Sequence, residues 1–334
     1  MRLYIYLLFI VLVYTGFNCQ SQVANNFREK EKLTLTAKIT LPAVSGRIDH
    51  IAYDSANRLA FIAALGNNSV EVINIHTRKV IHTITGLYEP QGVVYISSLK
   101  KLVVANGDNG DCIFFDATTY TQSGVVHLKS NADNIRYDAD AHLLYAGYGS
   151  GGIAVIDAIT MQQVSNIALD GHPEAFQVSK KQNRIYINVP DADEIEVADR
   201  SANKIVAKWK NAGASSNFPM ALDEDNNRLF VGYRSPGSLR TINIETGKEI
   251  ITTDCSGDAD DVFYNAADSL VFVSAGKGFI DVFRTNEKEL VQINHIKTSK
   301  GARTALLLVS DKKFLLAVPA HAGDPAALWI YNIE

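Results

Sequence analysis

The chain has 334 residues, a net charge of −4 and 47% hydrophobic residues. No basic run interrupts it, and binding along a phosphate backbone needs concentrated positive charge, so nucleic acid is not an expected partner. By length alone two domains could fit, and the repeat described below reduces them to one.

The first 22 residues read as a secretory signal. Arg2 is their single charge, and Leu3 to Tyr14 is an unbroken apolar or aromatic run. That run is shorter than the roughly 20 residues a bilayer-spanning helix needs. A retained anchor helix is the alternative. Cys19 lies just past the run, where a bacterial lipoprotein carries its lipidated cysteine. The preceding Gly16-Phe17-Asn18 is an imperfect match to that motif. Otherwise cleavage falls near Cys19 to Gln22. Either route places the mature chain outside the cytoplasm, in the periplasm or at the cell surface, with residues 23–31 as a polar tether.

Residues 32–334 are repetitive. Lys32 to Thr40 alternates like a strand but has no partner before it. Then an apolar residue opening a second strand recurs at Leu59, Leu102, Leu143, Ile185, Leu229, Leu270 and Phe314, at separations of 43, 41, 42, 44, 41 and 44. A period of about 40–45 residues is that of a four-stranded propeller blade. In Leu59-Ala60-Phe61-Ile62-Ala63 and Val70 to Ile75 apolar residues recur at every second place, as in half-buried strands. The last unit ends on a third strand, Trp329 to Glu334. The N-terminal strand is therefore expected to complete the seventh blade and leave no long open edge. The fold expected is an all-β seven-bladed β-propeller with four antiparallel strands per blade.

The turns follow. Asp54 to Asn57, Asp138 to Asp140, Asp223 to Asn227 and Ser310 to Lys313 join first to second strands, because Asp, Asn and Ser bond their own backbone. The Ile244 to Lys248 type of stretch joins third to fourth strands and shares that face. The opposite face carries the more variable loops, Asn106 to Asp111, Gly147 to Gly152 and Pro319 to Ala327. Such loops on a rigid scaffold usually carry function.

The segments Leu144-Tyr145-Ala146-Gly147 and Ile185-Tyr186-Ile187-Asn188, with Val70-Glu71-Val72-Ile73-Asn74 and Ile153-Ala154-Val155-Ile156-Asp157, resemble YVTN-type (YncE-like) propeller repeats. The resemblance covers roughly residues 32–334. It implies the architecture and a binding role, and it carries little about activity. The paired Gly-His and Trp-Asp signature of WD repeats is absent.

The residues leading into each first strand are the candidate site. Asp49, Asp133, Glu174 and Asp260 recur five residues before the end of that strand. Carboxylates brought together repel unless a cation, an arginine or a proton intervenes. Arg47 and Arg303, from neighbouring units, could balance them or clamp an anion. His50, Gln91, Asn134, His172 and Asn217 complete the expected channel-mouth set. His50 and His172 beside Glu174 could supply a base or a metal ligand, or simply hold the backbone. A calcium ion would find oxygen donors in Glu174, Asp260, Asp49 and Asn134. Asn106 to Asp111 lacks the twelfth-position Glu of an EF-hand and reads as a turn. Gly149-Ser150-Gly151-Gly152 is no phosphate loop, and no Gly-x-Ser-x-Gly elbow occurs. Cys112 and Cys255 read as inert thiols.

Two functions fit. One is an exported, monomeric binding propeller presenting its loops and channel mouth to a protein, glycan or small ligand. The other is a lactonase-type hydrolase holding a divalent cation at the mouth. The chain resembles gluconolactonase-type propellers in fold but lacks their strand motifs.

Overall fold

The structure, a computed structural model, describes residues 33–334. The expected signal, the lipidation position Cys19 and the tether lie outside the described residues. Seven four-stranded antiparallel sheets follow one another along the chain. Their innermost strands are Ile51–Asp54, Pro90–Ile96, Ala132–Asp138, Phe176–Ser179, Ser215–Asp223, Ala259–Asn265 and Ala305–Leu308, which open blades 1 to 7.

Blade 7 closes the ring as expected. Leu33–Thr40 pairs antiparallel with Ala327–Ile333, from Leu33 opposite Ile333 to Thr40 opposite Ala327. The pairing satisfies a sheet edge that would otherwise expose unpaired backbone.

Burial differs across each blade. Leu59–Ala64 is buried at every position, and Ser69–Asn74 at all but the last. The expected half-buried alternation does not hold for these central strands, because each blade packs between two others and both sheet faces are covered. Alternation survives in outer strands such as Lys204–Lys210. The core is a series of apolar layers between blades. One joins blades 7 and 1 through Ile39, Ile48, Ile62, Leu315 and Leu328.

The repeat motif has a local cause. In blades 1 to 6 an Asp or Asn at the end of the third strand accepts two backbone N–H groups of the following turn. Asn74 takes those of His76 and Thr77, at 3.0 and 2.8 Å. Asp116, Asp157, Asp199, Asn243 and Asn286 do the same in the next five blades. These are Asx turns, which is why the motif ends in Asp or Asn. Asn106 opens the expected turn through its carbonyl, which accepts the Gly110 N–H at 3.0 Å, and its side chain accepts the backbone N–H of Tyr88 at 3.2 Å. Gly92 is required by a close approach, since a Cβ there would lie 2.0 Å from the Asp133 carbonyl oxygen of the next blade. Cys112 and Cys255 are free thiols, and burial pushes both up to about 12.

Candidate functional site

Five residues before the end of each innermost strand stand Asp49, Gln91, Asp133, Glu174, Phe218, Asp260 and Arg303. Every one except Asp49 lines a cavity of about 490 Å³ at the channel mouth, to which all seven blades contribute. Of the residues expected there, Arg47, Gln91, Asp133, His172, Glu174, Asp260 and Arg303 are in its wall.

Asp49 and Asn134 line neither that cavity nor the next one along the channel and mark a waist between them, while His50 stands in the wall of the second cavity. Asp49 is buried beneath Arg47, whose Nη2 lies 2.8 Å from its Oδ2. Asn134 Nδ2 lies 3.2 Å from His50 Nε2. Asn217 is elsewhere. It is fully buried, donating to Asn188 Oδ1 at 3.0 Å and to the Glu194 carbonyl at 2.9 Å. Its neighbour Phe218 takes the mouth position, because successive side chains along a strand point to opposite sides.

The sequence reading missed Arg234 and Phe218. Arg234 is the penultimate residue of the second strand of blade 5, Arg228–Ser235. Its Nε donates to the Ala259 carbonyl at 2.9 Å, its Nη2 pairs with Asp260, and its guanidinium lies 3.6 Å over the Phe218 ring. Arg303 meets Asp258 at 3.0 Å and Asp260 at 3.1 Å. The available signal was an arginine near the end of its second strand, where the others finish in uncharged residues such as Ala64, Asn106, Val189 and Ala275.

Charge is therefore divided around the mouth. Arg47, Arg234 and Arg303 come from blades 1, 5 and 7, each held by an aspartate. Blades 2 to 4 contribute Glu89, Asp108, Asp133 and Glu174, with His172 alone against them. His172 Nδ1 donates to the Gly149 carbonyl at 2.6 Å, and Nε2 lies 3.7 Å from Asp133 Oδ2. Burial opposes charge on this ring, but Asp133 and the Gly149 carbonyl outweigh it and raise His172 to about 9. Burial, together with the charges of Asp133 and Asp260, pushes Glu174 up to about 8, against the pull of His172 and Arg234. Burial also raises Asp49, partly countered by His50 and Arg47. Burial alone would lower His50; the carboxylates of Asp49, Asp261 and Asp133 raise it instead.

The donors proposed for calcium are not gathered into one ligand set. Asp260 is engaged by Arg234 and Arg303, Asp49 by Arg47, and Asn134 by Arg136. Among the described residues, one group of three His, Cys, Asp or Glu brings its ligand atoms within 4.8 Å of one another, and it is Asp170, Glu194 and Glu196. That group lies in blade 4, away from the mouth, where Lys210 Nζ approaches Glu194 Oε2 to 2.9 Å and Lys208 pairs with Asp170. The Pro319 to Ala327 connection stands beside the mouth. Its His321 and Asp324 form a β-bridge, and Pro319, Ala320 and His321 flank Arg47 and Arg303.

No family model matches the chain. Solved structures match over nearly its whole length. A chain of the mitotic checkpoint complex superimposes with a TM-score of 0.77 at 13% identity, covering 98% of each chain. A chain of hydrazine synthase from Kuenenia stuttgartiensis gives 0.74 at 14% identity, covering 86% of this chain and 95% of that one. At such identities the likeness concerns the fold: a seven-bladed β-propeller.

Proposed function

We propose that this chain is an exported propeller of the YVTN-like kind that acts as a binding module of the cell envelope, through its loop-rich face and channel mouth. The observation that carries the binding role is the mouth itself. A polar cavity built by all seven blades sets paired arginines on one arc against unbalanced acids on the other. The partner it suits is a protein that inserts a basic side chain toward Glu89, Asp108 and Asp133 and draws the proton off Glu174. Membership in an assembly of a structurally similar propeller supports docking of a protein on such a disc. Export rests on the apolar run from Leu3 to Tyr14; Cys19 is the point of attachment if the chain carries a lipid, and otherwise cleavage falls between Cys19 and Gln22.

Fractionation of cells expressing the full chain tests the compartment. Mature protein in the envelope fraction is expected, released to the soluble periplasm by Cys19→Ala; an uncleaved cytoplasmic product would overturn it. Cross-linking in the envelope fraction tests the mouth. Wild type is expected to yield an adduct that Glu174→Gln with Asp133→Asn loses. An adduct unchanged in that double variant would move the partner off the mouth.

A further inference from the structure

Below the waist the channel opens again, toward the face that carries the first-to-second-strand turns. This lower chamber holds about 600 Å³, within the usual size of small-molecule sites. Its walls differ from those of the mouth. Tyr53, Tyr95, Tyr137, Phe263 and Leu306 line it, and Arg136 projects into it. The tyrosines are fixed rather than adaptable. Tyr53 donates to Asp311 Oδ2 at 2.9 Å, the Tyr137 hydroxyl lies 2.9 Å from His142 Nδ1, and Tyr95 stacks on Phe61 with centroids 5.7 Å apart.

Arg136 is the chamber's unusual group. It donates to Asn134 Oδ1 and, at 2.9 Å, to the carbonyl of Ile135, but both bonds use Nη1. Among the described residues no carboxylate lies within ion-pair distance of it. The two acids whose charge reaches it are turned elsewhere. Asp261 Oδ2 accepts the Ala305 N–H at 2.7 Å, and Asp133 faces His172 on the mouth side. Burial lowers the Arg136 pKa, with Asp261 and Asp133 opposing the shift. A half-buried guanidinium with no carboxylate at ion-pair distance keeps N–H groups free for an anion, and its planar fork suits a carboxylate.

We infer that the lower chamber is a second binding site, for a small flat apolar anion of the aromatic carboxylate class, with the carboxylate on Arg136 and the ring among the tyrosines. The site is independent of the mouth, which it does not share a wall with. Three features converge on that class: a volume fit for a small molecule, aromatic walls, and a cation with no carboxylate at ion-pair distance.

The test uses benzoate, benzylamine and benzyl alcohol in calorimetric titrations of the folded protein. Benzoate is expected to bind at one site per chain, at least tenfold more tightly than the amine or the alcohol. Arg136→Met is expected to lose at least tenfold in benzoate affinity, and Glu174→Gln at the mouth to keep it. Equal binding of all three probes, no benzoate binding, or loss in the mouth variant alone would overturn the inference. Labelling of wild type with photoactivated 4-azidobenzoate decides the matter even if Arg136→Met does not fold. Adducts on the peptides of Tyr95 and Tyr137 are expected, and adducts confined to the mouth loops would refute the assignment.

Discussion

The two halves of the channel are built from the same seven strands yet handle charge in opposite ways. Above the waist, arginines are paired across blades: Arg234 and Arg303 both reach Asp260, and Arg303 also reaches Asp258. Below it, Arg136 bonds Asn134 and the Ile135 carbonyl, lies 5.7 Å from the Phe176 ring centre and has no carboxylate at ion-pair distance. The mouth therefore has its positive charge already answered and its negative charge in excess. The lower chamber has the reverse. A propeller channel is thus no uniform tube; each register of the innermost strands forms a ring with its own chemistry.

Both halves depend on closure, so the largest effect should come from opening the ring. Removal of residues 33–40 would unpair Ala327–Ile333 and expose the apolar layer that contains Ile39, Leu328 and Ile330. Aggregation and loss of a cooperative melting transition are expected; a soluble monomer with an unchanged melting temperature would contradict the closure. Next in size is Asp260→Ala, which leaves Arg234 and Arg303 short of a shared partner. Breaking such a partly buried pair from one side costs about 1–2 kcal/mol, between the surface and the buried case, readable in denaturant unfolding. A cost below about 0.5 kcal/mol, as for a surface pair, would erase the contrast drawn above. Arg136→Met should go the other way. It removes a guanidinium with no carboxylate partner, so a gain of about 1 kcal/mol is expected from the same measurement. A loss comparable to that of Asp260→Ala would show that Arg136 is as fully paired as the arginines above it.

The period of Leu59, Leu102, Leu143 and their successors made the blades legible, because each unit repeats its own turn chemistry at Asn74, Asp116 and Asp157. The acid register was legible for the same reason: Asp133 and Asp260 hold equivalent places in equivalent strands. The pairing was not. Arg234 reaches the mouth from a second strand and Asn217 turns away from it, and both depend on the exit direction of one side chain. The lower chamber was equally hidden. Tyr53, Tyr95 and Tyr137 look like core aromatics until the ring closes and leaves them facing a cavity.

The smallest expected effect sharpens the comparison through pH. Glu174 is raised by burial and neighbouring acids to about 8 from an ordinary 4.5, so the folded chain holds a proton that the unfolded chain has released. Stability contributed by that proton is lost as pH rises from about 4.5 through 8. His172, raised to about 9 from an ordinary 6.5, favours the folded state below 6.5 and loses that effect as pH rises through 9. Both groups act in the same direction, so the melting temperature should fall between pH 6 and 9. Glu174→Gln keeps the neutral form at every pH. Its melting temperature should match wild type near pH 4 and exceed it increasingly as pH rises from 4.5 through 8, by about 2 °C or more at pH 9. Because Glu174 also helps hold the proton on His172, the remaining slope should begin at a lower pH in the variant. Arg136→Met, on the far side of the waist, should leave the difference between pH 6 and 9 intact. Parallel curves for wild type and Glu174→Gln would mean that the mouth is as open to water as the outer loops, and the acids of blades 2 to 4 would then be an ordinary solvated rim.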